Sequence, residues 1–178
     1  LGICPSKLNQ YLEKICIKKE NYLVNKFTKR KIKAIIPVHV FGNPAKTIEI
    51  AKLAKFWGID MIEDAAEALG SWHISNQKKI HCGLSGKLGI ISFNGNKLIT
   101  TGGGGVLITN NKDLAKKAKH ISTTSKMKHR WKFEHDQLGW NDRMPNINAA
   151  LGVAQLECIE NKLSKKMDLL ERYLHELE

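Results

Sequence analysis

The sequence has no apolar run long enough to span a membrane and no CxxC pair among its four cysteines. A transmembrane helix needs about 20 mainly apolar residues, and the N-terminal residues lack the layout of a signal peptide. The widely spaced Cys4, Cys16, Cys82 and Cys158 indicate reduced thiols in a cytoplasm rather than a disulfide framework. Cys82 beside His81 is only a weak metal motif, because no second ligand pair matches it, so we predict no metal site.

Acidic residues are scarce: 17 Asp and Glu stand against 29 Lys and Arg, which gives a formal net charge of +12. This charge alone would suit a nucleic-acid-binding domain. The lysines, however, are spread through residues 14–33, 112–132 and 162–166, mostly on polar faces and with few aromatic residues between them. A solvated surface is therefore the favoured interpretation, and it would also attract a nucleotide diphosphate. Nucleic-acid binding stays as the rival, which strong salt dependence of binding would reveal.

Apolar patterns alternate between strand-like and helical periods along the 178 residues, which suffice for one domain with a core. Residues 17–33 are predicted as loop or hairpin. The β–α–β unit at 34–64 has crossover length, so its strands should be parallel. These patterns predict an α/β layer fold with a mostly parallel sheet. The predicted strands are 34–40, 60–64 and 88–93, with a hairpin of 98–101 and 106–109. The predicted helices are 6–15 capped by Ser6, 47–57 closed by Gly58, 113–121 begun at Asn110 or Asn111, and one from Pro145 to about Glu178.

Polar residues follow three of the predicted strands: His39, Asp64 and Ser92. In open α/β sheets, ligands bind at the carboxyl ends of parallel strands, so these residues should converge on one crevice. Asp64 would either cap a helix beginning at Ala65 or hold a cofactor ring nitrogen protonated. Glu67 would be an ordinary surface glutamate or a polar contact near a cofactor or sugar.

Lys97 lies in residues 92–97 (SFNGNK), between apolar segments and shortly before four glycines at 102–105. We predict that it is partly buried, where a lysine can act as a nucleophile and a proton carrier. Ser92 either satisfies the backbone at a strand end or donates to a phosphate. The glycines lack the GxxxxGK[ST] order of a phosphate loop, so they are interpreted as backbone flexibility beside Lys97.

Residues 139–145 (GWNDRMP) precede the predicted C-terminal helix. A helix start with an asparagine and an arginine is a natural anion site. Simple N-capping by Asn141 or Asp142 is the alternative, and composition alone favours it.

Five segments, taken in order, resemble the DegT/DnrJ/EryC1/StrS sugar aminotransferases of the fold-type I pyridoxal-phosphate enzymes. They are residues 36–42 (IPVHVFG), 62–70 (IEDAAEALG), 92–97 (SFNGNK), 100–105 (TTGGGG) and 141–152 (NDRMPNINAALG). The resemblance covers about residues 34–160. It implies that residues 1–178 are part of the large cofactor-binding domain, a three-layer α/β/α structure with a mostly parallel sheet. It also implies that an N-terminal part and a C-terminal small domain are missing, so that the isolated chain would be a poor enzyme.

The resemblance assigns roles to individual residues and implies pyridoxal 5'-phosphate as the cofactor. Lys97 would bind the cofactor as a Schiff base and move the proton. Asp64 would pair with the pyridinium nitrogen, and Ser92 would bind the phosphate. Asn141 looks like the residue that reaches the phosphate of the neighbouring subunit's cofactor, which implies a homodimer with a shared site.

Two residues that differ from the common family pattern, together with the rest of the motifs, narrow the resemblance to one branch of the family. Glu67 stands where many members have Gln or His beside the cofactor, and this departure resembles perosamine-synthase-like and related branches. Gly103 replaces a Glu that most members have. The whole pattern is most similar to enzymes of legionaminic-acid and bacillosamine-type pathways. Those enzymes aminate C4 of a UDP-4-keto-6-deoxy-N-acetylhexosamine for surface glycans, with glutamate as donor. Lys97 argues against sugar dehydratases, which carry His there. Beside the nucleic-acid-binding rival, a non-catalytic fragment that only dimerises is a further alternative. In the favoured interpretation neither nucleic acid nor a membrane is a partner.

Overall fold

A computed structural model describes residues 2–20, 22–75 and 77–177, which form two compact units. One unit comprises Leu1–Ile91 and Leu107–Arg143, and the other comprises Ser92–Val106 and Met144–Glu178. The helices are α1 (Pro5–Ile15), α2 (Thr47–Trp57), α3 (Lys112–Ser122), α4 (Asn146–Glu157) and α5 (Ile159–Glu176). The strands are β1 (Cys16–Lys18), β2 (Leu23–Asn25), β3 (Lys31–Ile32), β4 (Ala34–Ile35), β5 (Asp60–Asp64), β6 (Trp72–Ser75), β7 (Lys78–His81), β8 (Leu88–Ser92) and β9 (Gly105–Ile108).

The central sheet has the strand order β4-β5-β8-β9. Strand β5 pairs in parallel with β4 on one side and with β8 on the other, and Asp64 lies opposite Ile90. The helical crossover α2 connects β4 to β5, as expected for parallel neighbours. The predicted α/β fold with parallel strands is therefore confirmed.

Local capping signals located two helices correctly. Gly58 ends α2 in the left-handed conformation (φ 67°), which a glycine adopts without the steric cost of a Cβ. The Asn111 side chain accepts hydrogen bonds from the amides of Asp113 and Leu114, and α3 follows it at once. Both helices lie within one or two residues of their predicted bounds.

The core of the first unit is formed by α1, α2 and the strands β1, β2, β4 and β5. Trp57 in α2 is buried, and its indole N–H donates to the Asn9 side chain of α1 at 2.9 Å. This bond satisfies the polar atom of an otherwise apolar contact between the helices. The buried cluster consists of Leu12, Cys16, Leu23, Ile35, Ile50, Ala54, Trp57, Ile59 and Met61.

The predicted continuous strand at 34–40 is wrong beyond β4. Pro37 has no amide hydrogen and interrupts the ladder, although its carbonyl accepts from the Asp64 amide at 2.9 Å. Val38 then makes an isolated parallel bridge with Asp64. Ile36 and Val38 are exposed, so this segment is not buried on both faces.

Two predicted caps are also wrong. Helix α1 begins at Pro5, not after Ser6, because proline's missing amide hydrogen costs nothing in a first turn. No helix begins at Ala65: its amide donates to the Ile90 carbonyl at 2.9 Å, which continues the extended backbone, and turns follow. Asp64 therefore caps a turn rather than a helix.

The remaining corrections concern the chain outside the parallel strands. Residues 98–101 form no strand, so the predicted hairpin with 106–109 is wrong. The C-terminal helical run is broken at Cys158, and its predicted end at Glu178 lies outside the described residues. Pro145 occupies the N-cap of α4, so neither Asn141 nor Asp142 caps it. For residues 17–33, predicted as loop or hairpin, the hairpin alternative holds: residues 16–32 contain the antiparallel β1-β2-β3 sheet, with Asn21 outside the described residues. In the part of the chain that the structure describes, no helix is long and apolar enough to cross a membrane.

Candidate functional site

Asp64 is the last residue of β5, and backbone bonds fix it on one side. Its amide donates to the Pro37 carbonyl at 2.9 Å, and its carbonyl accepts from the His39 amide at 3.0 Å. One carboxylate oxygen, Oδ1, accepts from the Ala66 amide at 3.1 Å. The other oxygen accepts no hydrogen bond from the described residues, and the side chain is only half-buried. Asp64 therefore presents a partly accessible acceptor at the carboxyl end of a parallel strand.

The His39 backbone lies beside Asp64, as the sequence predicted, but its side chain is fully buried. Its Nδ1 accepts from the Ala45 amide at 3.0 Å, so its proton is assigned to Nε2. That Nε2 donates to Glu63 Oε2 at 3.1 Å. His39 thus belongs to an internal hydrogen-bond network.

Glu63, a buried carboxylate with several hydrogen bonds, was not among the candidate residues predicted from the sequence. It is fully buried, and its carboxylate also accepts from the amides of Gly83 at 3.0 Å and Gly86 at 2.6 Å. Burial raises the pKa of Glu63, but the hydrogen bonds from His39, Gly83 and Gly86 outweigh it and hold the pKa below its ordinary value. The available signal was strand alternation: Glu63 shares a face of β5 with buried Met61.

The same interior contains the weak metal motif, and its chemistry argues against a metal. His39, His73 and Cys82 offer ligand atoms within 4.8 Å of one another. Both ring nitrogens of His39 are engaged, however, and burial together with the charge of Glu63 raises the pKa of Cys82 to about 12. A metal would need a thiolate and a free ring nitrogen. His81, the other half of the motif, is engaged through Nε2 by the Gly70 amide and through Nδ1 by the Cys82 carbonyl.

Glu67 is exposed and holds a strained turn. Its Oε2 accepts from the amide of Phe41, which has a positive φ of 53°. The next residue, Gly42, has no room for a Cβ, which would stand 2.8 Å from the Glu67 carbonyl oxygen. Ser71 completes the contact by donating to the Gly42 carbonyl at 2.7 Å. Glu67 therefore organises the backbone that follows His39.

Lys97 lies at the turn of a loop whose two limbs are joined, here called the lysine loop (residues 93–104). The Phe93 amide donates to the Gly104 carbonyl, and the Thr101 amide donates to the Phe93 carbonyl, each at 3.0 Å. The Lys97 amide donates to the Asn94 carbonyl at 3.1 Å. The Lys97 side chain is half-buried, which agrees with the sequence prediction.

Ser92 ends β8 and leads into the lysine loop. Its Oγ accepts from the Asn94 amide at 3.2 Å, so it does satisfy a backbone donor. Among the described residues, its hydroxyl hydrogen has no acceptor. Ser92 can therefore satisfy the backbone at the strand end and still donate a hydrogen bond to a phosphate.

Asn141 lies in an irregular segment that folds back on the end of α3. It forms an isolated antiparallel bridge with Thr123, and the neighbouring Asp142 amide donates to the Ser122 carbonyl at 3.1 Å. The bridge fixes the backbone at Asn141 by long-range pairing.

Comparisons with known proteins identify the family. The model of the DegT/DnrJ/EryC1/StrS aminotransferase family matches residues 9–178. EpsN of Bacillus subtilis (strain 168), to which a pyridoxal phosphate-dependent aminotransferase activity is attributed, is 39% identical over 145 residues, 82% of this chain and 36% of EpsN. The GDP-perosamine synthase of Escherichia coli O157:H7 is 41% identical over 143 residues, 80% of this chain and 38% of that enzyme.

Solved structures agree with this result. The crystal structure of a DegT DnrJ EryC1 StrS aminotransferase from Brucella abortus superposes with a TM-score of 0.80 at 27% identity. The superposition covers 97% of this chain and 42% of that one. The chain thus spans well under half the length of these relatives, and its fold is the α/β fold of the fold-type I aminotransferases. The chain belongs to the DegT/DnrJ/EryC1/StrS aminotransferase family.

Proposed function

We propose that the protein to which this chain belongs is a pyridoxal-phosphate-dependent aminotransferase of nucleotide-linked sugars. It moves an amino group from glutamate to C4 of a 4-keto-6-deoxy sugar, of the UDP-4-keto-6-deoxy-N-acetylhexosamine type, for surface-glycan biosynthesis. Family membership and the activity attributed to EpsN support the cofactor and the reaction. The name of the perosamine synthase, which gives a GDP-linked compound, supports a nucleotide-linked substrate.

The observation that carries the proposal is Lys97, a half-buried lysine held near the turn of a loop whose limbs are hydrogen-bonded together. Two further residues present groups that suit the cofactor. Asp64 has a carboxylate oxygen that accepts nothing from the described residues, which suits a protonated ring nitrogen. Ser92 has a hydroxyl hydrogen to donate, which suits a phosphate.

When bound, pyridoxal phosphate supplies an electron sink for the carbanion at the reacting carbon. Asp64 keeps the proton on the ring nitrogen, because a negative charge beside that nitrogen favours its protonated form. Ser92 donates a hydrogen bond to the phosphate. The Lys97 amine holds the cofactor covalently, and in its free form it accepts a proton from the reacting carbon and returns it. We assign Glu67 a polar contact at the cofactor or sugar, through the turn that its carboxylate holds.

The wider assignment places residues 1–178 in the large domain of a longer cytoplasmic enzyme. It acts as a homodimer in which Asn141 reaches the phosphate of the neighbouring subunit's cofactor. The long-range bridge at Asn141 supports this role because it gives an exposed polar side chain a fixed backbone. Sedimentation of the cofactor-loaded full-length protein should give twice the subunit mass, and a fully active monomer would contradict the shared site.

Borohydride reduction of the cofactor-loaded full-length protein, followed by peptide mass spectrometry, tests the central assignment. We expect one pyridoxyl group per subunit, on Lys97. An adduct on any other lysine would overturn the assignment. The cofactor-loaded protein before reduction, given glutamate and either a UDP- or a GDP-linked 4-keto-6-deoxy sugar, tests the substrate class. Faster amination of the GDP-linked sugar would overturn the UDP assignment but not the proposed aminotransferase reaction.

A further inference from the structure

The lysine loop has no regular secondary structure between β8 and β9. It contains Gly95 and the three glycines at 102–104, whose backbones are the most costly to order on folding. The bonds at its base join its two limbs to each other, and the Thr100 hydroxyl adds to them by donating to the Phe93 carbonyl at 3.0 Å. A catalytic side chain must be held to within about 0.5 Å of its productive position. Contacts from outside the loop would supply this precision to the limb that follows Lys97.

Helix α4 holds that limb through the side chain of Gln155. Its Oε1 accepts from the Thr100 amide at 3.2 Å, and its Nε2 donates to the Thr100 carbonyl at 2.6 Å. One amide thus satisfies both backbone groups of a residue three positions after Lys97, as a neighbouring strand would. The orientation of the amide is itself fixed, because the Lys162 ammonium donates to the same Oε1 at 3.1 Å.

A second polar side chain of α4 contacts the next residue of the loop. Asn148 Nδ2 donates to the Thr101 carbonyl at 2.5 Å, and Thr101 is buried. Asn148, Gly152 and Gln155 have helical spacings of four and three, which places them on one face of α4. Gly152 makes the close approach feasible, because a Cβ there would stand 2.8 Å from the Thr101 methyl group.

From these contacts we propose that Gln155 is a positioning residue for Lys97, with Asn148 as its neighbour in the same role. The α4 face formed by Asn148, Gly152 and Gln155 fixes the backbone of the lysine loop, and so sets where the Lys97 amine stands when it exchanges a proton. The inference rests on the proposed aminotransferase function, since it gives Lys97 a reaction to perform.

The variant Gln155→Leu tests it in the cofactor-loaded full-length protein, because leucine has similar bulk but cannot bond to Thr100. Misplacement of a reacting group by about 1 Å can cost about 10²-fold in rate. We therefore expect kcat to fall by about 10- to 100-fold, with the KM for the nucleotide sugar changed much less. The pH midpoint of the visible absorbance band of the Lys97-bound cofactor should shift as well, which a purely structural role would not require. Glu157→Leu is the matched control, since it makes a similar change at an exposed position of the same helix.

The outcomes separate the two proposals. If wild-type protein carries no pyridoxyl group on Lys97 after reduction, the proposed function fails. If wild type carries it and Gln155→Leu keeps the wild-type kcat and pH midpoint, the positioning role fails. Should Gln155→Leu not fold, Gln155→Glu replaces it: this variant keeps an acceptor for the Thr100 amide and Lys162 but sets a carboxylate oxygen against the Thr100 carbonyl. Unchanged kcat and pH midpoint in Gln155→Glu would equally contradict the inference.

Discussion

Replacement of Glu63 by leucine is expected to lower the free energy of unfolding by at least about 3 kcal/mol, because each buried donor that loses its acceptor costs about 1–3 kcal/mol. The variant would leave the donors of His39, Gly83 and Gly86 without their acceptor, and the first two of these hydrogen bonds are buried. Chemical denaturation monitored by circular dichroism measures the change. Glu63→Gln should cost less, about 1–3 kcal/mol, since only one of its two terminal atoms still accepts.

Glu49→Leu is the matched control, because Glu49 is exposed and lies 3.9 Å from Lys46 in a surface ion pair. Surface substitutions usually change the unfolding free energy by no more than about 0.5 kcal/mol. If Glu63→Leu were no more destabilising than Glu49→Leu, the proposed interior network would not be a source of stability.

The stability difference between wild type and Glu63→Gln should also depend on pH, and the direction of the change follows from the pKa of Glu63. The folded-state pKa of Glu63 lies below its ordinary value of 4.5, because hydrogen bonds to the carboxylate outweigh burial. Its contribution is therefore fully present above pH 4.5 and is lost as the pH falls through the folded-state pKa. The stability difference between wild type and Glu63→Gln should accordingly shrink as the pH is lowered below 4.5.

The parts of the fold that the sequence predicted well depend on local signals. Gly58 ends α2 through its own conformational freedom, and Asn111 caps α3 with its own side chain. Short apolar runs sufficed to locate β5 and β8, the second to within one residue. These features need no information about the rest of the chain, which is why they can be predicted from a short window.

The failures occur where distant backbone groups decide the local structure. Ala65 has helical neighbours in sequence, yet its amide bonds to Ile90 and keeps the chain extended. Pro37 was included in a strand because its neighbours are apolar, although it has no amide hydrogen for the ladder. Propensity is a weak prior that tertiary bonds override.

The candidate site shows the same division. Asp64 and Ser92 could be proposed because each ends a strand, and Lys97 could be proposed from the short motif around it. Polar side chains that bond to distant backbone could not be proposed in this way: Glu63 bonds to Gly83 and Gly86, 20 and 23 residues away, and Gln155 bonds to Thr100 across 55 positions. The contact of α4 with Thr100 and Thr101 had one signal in the sequence. Asn148 and Gln155 flank Gly152 at helical spacing, which places two polar side chains on either side of a glycine on one helix face.

Replacement of Lys97 by alanine is expected to have the largest effect on activity. It removes both the amine that holds the cofactor and the group that moves the proton, and the loss of a general base alone costs about 10²- to 10⁴-fold in rate. We expect at least this loss of amino transfer in the full-length protein, and no pyridoxyl group at position 97 after borohydride reduction. Steady-state kinetics and peptide mass spectrometry measure the two effects.

Two further variants show whether the loss is chemical. Lys97→Arg keeps the positive charge, but its guanidinium is not deprotonated near neutral pH, so it should be as inactive as the alanine variant. Lys116→Ala removes an exposed lysine from α3 and should keep wild-type activity. Because Lys97 is only half-buried, Lys97→Ala should unfold at nearly the same denaturant concentration as Lys116→Ala. A Lys97→Arg variant that retained wild-type activity would mean that position 97 supplies only charge, and the reacting amine would then have to be sought at another lysine.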